Sequence, residues 1–210
     1  MTDPLNEADR LSQADRRAIV EAKHTLRAAV LARRAARSGS GRSTANAART
    51  RQVQQFIGAT TGPDVTIACY LSVSDEPSTL ELIAWLAVQE TRILLPVLTG
   101  EGRDRPMWAH YGGPDDLVSG RYGVPEPTGE RYESTVLETA DLIVVPGLAG
   151  NEQGDRLGRG GGWYDRALGD SEAVRLLLLN DDEILPAIPV EPTDRSVDVI
   201  VTEERVVQAR

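Results

Sequence analysis

Apolar positions in the first 60 residues follow helical spacing. From about Ala14 to Arg37, apolar side chains recur every three or four residues with alanine between them, which predicts a long amphipathic helix. The Ser-Gly stretch at 38–41 interrupts this pattern, and a second helix is predicted from about Thr44 to Ile57. The chain is therefore expected to begin with a helical segment, preceded by a flexible N-terminus at residues 1–13.

Beyond residue 60, short apolar runs of strand length alternate with helical segments. Helices are predicted to start near Ser78 and Tyr164. The region 101–133 is rich in Gly, Pro and charge, which predicts irregular structure with short strands around Met107-Trp108. The main strands are predicted at about 64–71, 92–97, 141–146, 174–179 and 197–202. Strands that alternate with helices favour a mostly parallel sheet covered on both faces. We expect a single three-layer, Rossmann-like α/β domain over residues 14–210.

Four glycines in five residues lie between the predicted strand at 141–146 and the helix that starts near Tyr164. They are Gly158, Gly160, Gly161 and Gly162. Glycine lets backbone N–H groups converge on an anion, and a helix N-terminus favours phosphate. The spacing matches neither a P-loop nor the dinucleotide fingerprint. A flexible surface turn is the alternative, but the flanking Arg156, Arg159 and Asp165 favour a phosphate site.

Composition restricts the class of protein. With 210 residues and 40% hydrophobic content, the chain can bury a core as one domain, and it has no apolar stretch of about 18 residues that would span a membrane. The N-terminus lacks the order of a signal peptide, so a cytoplasmic protein is expected. The single cysteine, Cys69, lies in an apolar run and is interpreted as a core residue.

Basic charge is concentrated near the N-terminus. The net charge is -9, yet residues 1–51 carry eleven Lys or Arg against five Asp or Glu. A basic segment on an acidic body favours a local anion site over a nucleic-acid surface. Lys23 is the only lysine among 23 basic residues, and it shares a helix face with Arg27 four positions later. A compact ammonium group suits a phosphate, so both side chains are candidates to bind one.

Several separated elements also occur in the order of one known family. They are Lys23-x-x-Leu26-Arg27, Tyr70 to Glu76, Pro96, Met107, Gly123 with Glu126-Pro127, Val145-Pro146-Gly147, Arg156 to Asp165, Ile188-Pro189, Glu191-x-x-Asp194 and Val201-Thr202-Glu203. This pattern resembles the 5-formyltetrahydrofolate cyclo-ligase family, also called 5,10-methenyltetrahydrofolate synthetase, over about residues 20–205. The glycine-aromatic-aspartate element is its most specific part.

The resemblance implies an enzyme that cyclises 5-formyltetrahydrofolate to 5,10-methenyltetrahydrofolate with ATP and Mg²⁺, releasing ADP and phosphate. It implies catalytic roles for Lys23, Arg159 and Asp165, with Asp165 also binding magnesium. The residues implied for ATP are Lys23, Arg27, Arg156, Leu157, Gly158, Arg159, Gly160, Gly161, Gly162, Trp163, Tyr164 and Asp165. Those implied for folate are Tyr70, Glu76, Met107, Tyr122, Gly123 and Glu126, with Glu76 accepting hydrogen bonds from the pterin. The implied partners are ATP and the folate, with or without a polyglutamate tail, and a monomer that binds neither nucleic acid nor membrane is expected.

Three positions depart from the family pattern. Asn151 stands where a carboxylate is usual, Trp163 replaces the usual tyrosine, and Glu183 replaces a glutamine. A neutral Asn151 removes a possible magnesium ligand, for which Asp155 or Glu152 could substitute, and Glu183 adds charge near an expected folate contact. Two alternatives stay open at this point: a divergent relative that binds nucleotide or a folate-like ligand without cyclising it, and a nucleic-acid-binding module that uses residues 10–51.

Overall fold

The computed structural model describes residues 12–62, 64–100, 105–169 and 171–209. Two long helices open the described chain, α1 (Gln13–Ala36) and α2 (Gly39–Thr60). Ser12 caps α1, because its hydroxyl accepts the amide of Asp15 at 3.1 Å while the Asp15 carboxylate accepts the Ser12 amide at 3.2 Å. Most of the expected flexible segment 1–13 lies outside the described residues.

The second helix begins earlier than the sequence predicts. The hydroxyl of Ser38 accepts the amide of Gly41 at 3.1 Å, so the chain re-enters helix at Gly39 and only Arg37 and Ser38 separate the two helices. Two shorter helices follow, α3 (Leu80–Val88) and α4 (Trp163–Leu168), and both start close to the predicted positions.

Twelve strands occur in the described residues. They are β1 (Thr66–Cys69), β2 (Arg92–Val97), β3 (Met107–His110), β4 (Leu117–Ser119), β5 (Pro125–Pro127), β6 (Arg131–Glu133), β7 (Leu142–Val145), β8 (Ala149–Gly150), β9 (Arg156–Leu157), β10 (Val174–Leu178), β11 (Val199–Val201) and β12 (Val206–Gln208). Eight of them form one sheet in the order β12-β11-β10-β7-β1-β2-β3-β6. The pairs among β11, β10, β7, β1 and β2 are parallel, and the outer strands pair antiparallel. The prediction of a mostly parallel, helix-flanked sheet is confirmed.

Both faces of the sheet are buried. Ile67 and Cys69 point into an apolar cluster that includes residues of α2 and α3, whereas Ala68 between them belongs to a cluster on the opposite face that includes residues of α4. Because both faces are covered, the central strands read as continuous apolar runs rather than alternating ones. None of the helices in the described ranges is long and apolar enough to cross a membrane.

Buried arginines attach α1 and α2 to the carboxyl ends of the strands. On α1, Arg34 Nη2 donates to the carbonyl oxygen of Gly147, after β7, at 2.8 Å. On α2, Arg49 Nε donates to the carbonyl oxygen of Leu179, after β10, at 2.8 Å, and its Nη2 lies 3.0 Å from Glu203 Oε2. The two helices therefore lie against the edge of the sheet where the connecting loops converge.

Candidate functional site

The sheet order places a topological switch point at the carboxyl ends of β1 and β7, and we call the region between the two loops beside it the crevice. These strands are neighbours, but the chain continues from β1 to β2 on one side and from β7 to β10 on the other. Such a switch point is where open α/β sheets bind ligands. We call residues 70–79 the β1 loop and residues 158–162 the glycine loop. Arg159 joins them, with Nε 2.9 Å from Glu76 Oε1 and Nη2 3.1 Å from Asp75 Oδ1.

Positive φ angles shape the glycine loop. Gly160 has φ of 100°, and Gly162, the N-cap of α4, has φ of 62°. Residues with a Cβ are disfavoured in this conformation. A Cβ at Gly160 would also lie 3.3 Å from Cζ of Arg27, which is tighter than an ordinary contact. The sequence prediction of a glycine loop that leads into a helix is confirmed, although the β8–β9 hairpin between β7 and the loop was not predicted.

The basic face of α1 lies against this loop. Arg27 Nε donates to the carbonyl oxygen of Gly158 at 2.9 Å, across 131 residues of sequence. Lys23, whose side chain is 5% exposed, donates to Glu191 Oε2 at 2.8 Å and to Asp194 Oδ2 at 2.5 Å. The spacing on α1 predicted a shared face for Lys23 and Arg27, but no role was predicted for the two carboxylates. The Glu191-x-x-Asp194 motif in the sequence could have identified them.

Asp165 connects the glycine loop with the segment that holds Lys23. Its Oδ1 accepts Arg156 Nη2 at 2.6 Å and the amide of Arg195, which follows Asp194, at 3.3 Å. Arg156 Nη1 also donates to the carbonyl oxygen of Pro146 at 3.2 Å, whereas its buried Nε has no hydrogen-bond partner within the described residues. Hydrogen bonds thus join Arg156, Asp165 and the 191–195 segment to one another.

The aromatic residues after the glycine loop pack inward. Trp163 and Tyr164 lie against Trp108, with ring centroids 5.4 and 6.2 Å from it. Burial raises the pKa of the Tyr164 phenol well above its ordinary value, and the nearby Cys69 and Glu76 act in the same direction. These rings anchor the start of α4 and so the end of the glycine loop. Leu157, at the other end of the loop, is buried with Val30 of α1.

Tyr70 and Glu76 have different surroundings in the β1 loop. Tyr70 is buried, its hydroxyl donates to the carbonyl oxygen of Pro77 at 2.5 Å, and burial raises its pKa well above the ordinary value, with Glu76 as the next cause. Glu76 Oε2 accepts the amide of Val73 at 3.1 Å. Glu76 therefore faces Arg159 across the crevice, whereas Tyr70 supports the loop from inside.

The other residues predicted to bind folate also include both exposed and buried side chains. Tyr122 is 76% exposed, in a left-handed conformation with φ of 58°, and Gly123 beside it has φ of 74°. Glu126 is buried at 1% exposure, and its carboxylate accepts the amide of Leu98 at 2.9 Å and the hydroxyl of Thr99 at 2.5 Å. Met107 is also buried. Tyr122 is thus presented to solvent, while Glu126 Oε1 accepts the amide of the preceding Arg121 at 3.4 Å and so holds the turn that carries Tyr122.

At two of the positions that depart from the family pattern, the side chain is buried and bonded to other residues of the protein. Asn151 is buried, its Nδ2 donates to Asp155 Oδ2 at 2.8 Å, and its Oδ1 accepts the amides of Gln153 and Asp155 at 3.1 and 2.9 Å. Glu183 is buried against Arg34 at 2.7 Å. These contacts direct both side chains toward other residues of the protein rather than toward a ligand.

A metal at this site would need ligands from outside the protein. No group of three or more His, Cys, Asp or Glu side chains in the described part of the chain is arranged to hold a metal ion. Mg²⁺ commonly takes one or two carboxylates together with phosphates and water. Two carboxylates fit that smaller requirement: Asp165, in α4 directly after the glycine loop, and Asp194, next to the Arg195 whose amide donates to Asp165.

Comparison with known proteins gives a consistent result. The model of the 5-formyltetrahydrofolate cyclo-ligase family matches residues 19–203. The chain is 33% identical over 191 residues to the 5-formyltetrahydrofolate cyclo-ligase of Mycolicibacterium smegmatis, covering 87% of this chain and 94% of that protein. It is 31% identical over 144 residues to the Escherichia coli K12 protein of the same name, covering 67% and 79%. The NMR structure of Aquifex aeolicus 5,10-methenyltetrahydrofolate synthetase superposes with a TM-score of 0.77 at 28% identity, covering 90% of this chain and 93% of the other.

Proposed function

The chain belongs to the 5-formyltetrahydrofolate cyclo-ligase family, and we propose that the crevice between the β1 loop and the glycine loop carries the reaction of that family. The reaction is the ATP-dependent cyclisation of 5-formyltetrahydrofolate to 5,10-methenyltetrahydrofolate, with release of ADP and phosphate. The observation that most supports this site is the bond from Arg27 to the Gly158 carbonyl, because it holds the basic face of α1 against the glycine loop.

The chemistry explains why cations and backbone amides are needed here. A formamide oxygen is a poor leaving group, so the γ-phosphoryl group of ATP is transferred to it and ADP departs. N10 of the folate then attacks the formyl carbon of the iminium phosphate, the N10 proton is lost, and phosphate leaves with the former formyl oxygen. The protein aligns the two substrates and neutralises charge on the moving phosphoryl group.

We assign the nucleotide to the side of the crevice formed by α1 and the glycine loop. Lys23, Arg27, Arg156 and Arg159 supply positive charge there, and the glycine-loop amides supply hydrogen-bond donors. Trp163 and Tyr164 support the loop by packing on Trp108. The unpartnered buried Nε of Arg156 fits a site built to receive further anionic oxygens.

Magnesium is the proposed metal cofactor, and it would neutralise charge on the ATP phosphates. Asp165 is the proposed metal ligand. We propose Asp194 as a second ligand, because the amide of the adjacent Arg195 donates to Asp165 at 3.3 Å. Both carboxylates pair with cations in this structure, Asp165 with Arg156 and Asp194 with Lys23. A metal at these carboxylates and a phosphate at these cations would therefore replace existing ion pairs rather than bring like charges together.

We assign the folate to the β1 loop and the turn that carries Tyr122. Glu76 offers a carboxylate to the donor edge of a pterin, and the exposed Tyr122 ring offers an apolar face. Tyr70, Met107 and Glu126 are proposed to act by supporting these residues from behind. A folate with or without a polyglutamate tail, a monomer over residues 14–210 and a cytoplasmic location stay predictions.

The reaction can be followed by the near-ultraviolet absorbance of 5,10-methenyltetrahydrofolate. Purified protein should produce this signal only with 5-formyltetrahydrofolate, ATP and Mg²⁺ together, and omission of each component in turn is the control. No turnover beside an active relative assayed in parallel would contradict the proposal. It would favour the divergent relative that binds its ligands without cyclising the folate.

A further inference from the structure

Arg159 links the two proposed substrate sites. Its Nε donates to Glu76 Oε1 at 2.9 Å, and its Nη2 donates to Asp75 Oδ1 at 3.1 Å. Arg159 belongs to the glycine loop, which the proposed function assigns to ATP phosphates. Glu76 belongs to the β1 loop, which the proposed function assigns to the pterin. One ion-paired cluster therefore contains a binding group from each site.

The Glu76 carboxylate is better fixed than the Arg159 guanidinium. The Glu76 side chain is only 10% exposed, and its Oε2 accepts the amide of Val73 while its own amide donates to the Val73 carbonyl oxygen at 3.2 Å. Arg159 is 47% exposed and is flanked by Gly158 and Gly160. Half-exposed ion pairs contribute little stability, so a more strongly charged phosphate group can compete for the guanidinium.

We propose that Asp75 and Glu76 hold Arg159 until nucleotide phosphates withdraw it, and that this exchange makes binding of the two substrates cooperative. The inference rests on the proposed function. While Arg159 is paired, Glu76 Oε1 already accepts a donor and its charge is partly neutralised, so it is a weaker acceptor for pterin N–H groups. When Arg159 turns to a phosphate, the Glu76 carboxylate becomes available. Asp75 acts through Arg159 and is a positioning residue.

Thermodynamic linkage makes the effect reciprocal. Nucleotide should tighten folate binding by the same factor by which folate tightens nucleotide binding. We expect about a five- to tenfold change, at the lower end of typical coupling between sites, because the guanidinium is half exposed and solvent screens the pair.

Calorimetric titration of the full chain measures the coupling factor, which is the ratio of folate affinities with and without nucleotide. 5-Formyltetrahydrofolate is titrated with and without saturating magnesium and a non-hydrolysable ATP analogue, which prevents turnover, and the reverse titration checks reciprocity. For the wild type we expect about five- to tenfold tighter folate binding with the analogue. In Arg159→Gln, folate should bind without nucleotide at least as tightly as in the wild type, and the factor should fall to about one. Asp75→Asn should lower the factor, while Asp115→Asn, a change at an exposed carboxylate, should keep it.

Each outcome decides a separate point. If both ligands bind the wild type but the factor is one, the inference is wrong and the proposed function stands. If neither ligand binds, both the inference and the proposed function are wrong. If Arg159→Gln weakens folate binding in the absence of nucleotide, Arg159 assists Glu76 rather than occupying it, and the inference is overturned. Circular dichroism checks the fold of each variant, and Asp75→Asn carries the test if Arg159→Gln does not fold.

Discussion

Arg34 on α1 and Glu183 after β10 form a two-pronged ion pair closed to solvent. The Nε–Oε1 distance is 2.7 Å and the Nη2–Oε2 distance is 2.8 Å, and both side chains are 1% exposed. Glu183 also accepts the backbone and side-chain amides of Asn180 at 2.9 and 2.8 Å. The charge at position 183, a departure from the family pattern, is therefore balanced inside the protein.

Glu183→Gln should destabilise the fold strongly. The change leaves the Arg34 guanidinium buried without a counter-ion, and breaking a buried pair from one side typically costs about 3–5 kcal/mol. Urea denaturation measures this loss. The double variant Arg34→Leu with Glu183→Gln removes both charges and should lose less than the sum of the two single variants. Simple additivity would show that the two residues do not act as a pair.

Lys23→Gln should impair the use of ATP much more than folate binding. It removes the ammonium group from the basic face of α1, and loss of one charge-stabilising group commonly lowers turnover by about 100-fold or more. Steady-state kinetics with ATP as the varied substrate, together with a folate titration, separate the two effects. Arg16→Ala, at an exposed cation on the same helix, is the control. Equal losses for both substrates would refute the assignment of Lys23 to phosphate.

Asp165→Asn should raise the magnesium concentration needed for half-maximal rate. The amide is a weaker ligand than the carboxylate and also loses the ion pair with Arg156, so we expect turnover to fall at least about tenfold at low magnesium. Extra magnesium should restore part of the rate. Initial rates over a magnesium series test this, with Glu172→Gln at an exposed carboxylate as the control. A loss that magnesium leaves unchanged would argue that Asp165 serves only to hold Arg156.

Asn151→Asp should not improve activity. The new carboxylate would face Asp155 Oδ2, which now accepts Asn151 Nδ2 at 2.8 Å, and the stability lost should be about 1–3 kcal/mol. In the double variant with Asp155→Asn, the amide at position 155 can donate to the new carboxylate at position 151. This double variant should recover most of the lost stability. Thermal melts and turnover of both variants are the measurements. Higher turnover in Asn151→Asp alone would instead support a magnesium ligand missing at this position.

Cys69 should resist thiol reagents while the protein is folded. The side chain is fully buried in β1, and burial raises the pKa of the thiol, so the reactive thiolate is scarce. An aromatic disulfide reagent at pH 8 should therefore label the native protein no faster than it unfolds, and should label it at once in denaturant. Rapid labelling of the native chain would contradict the buried placement.

The fold was more predictable from the sequence than the contacts within the site. The strand at 92–97 was predicted with its observed bounds, because both faces of β2 are apolar and Pro96 does not prevent pairing there. β12 was missed, since three residues at a sheet edge pair through backbone groups and leave little side-chain pattern.

Local spacing also limited what could be said of the site. Helical geometry places Lys23 and Arg27 on one face, and this prediction is confirmed. The same geometry does not identify Glu191 and Asp194 as the partners of Lys23, because those contacts depend on how distant segments pack. For the same reason, the sequence did not distinguish Tyr70 and Glu126, which face inward, from Tyr122, which faces solvent.

The bond between Lys23 and Asp194 joins residues 171 positions apart, so no single stretch of chain contains the crevice. Contacts over such separations form slowly compared with local helices. A refolding chain should regain its ellipticity before its catalytic competence, and recovered turnover would then report the final docking of the first helix rather than the initial collapse.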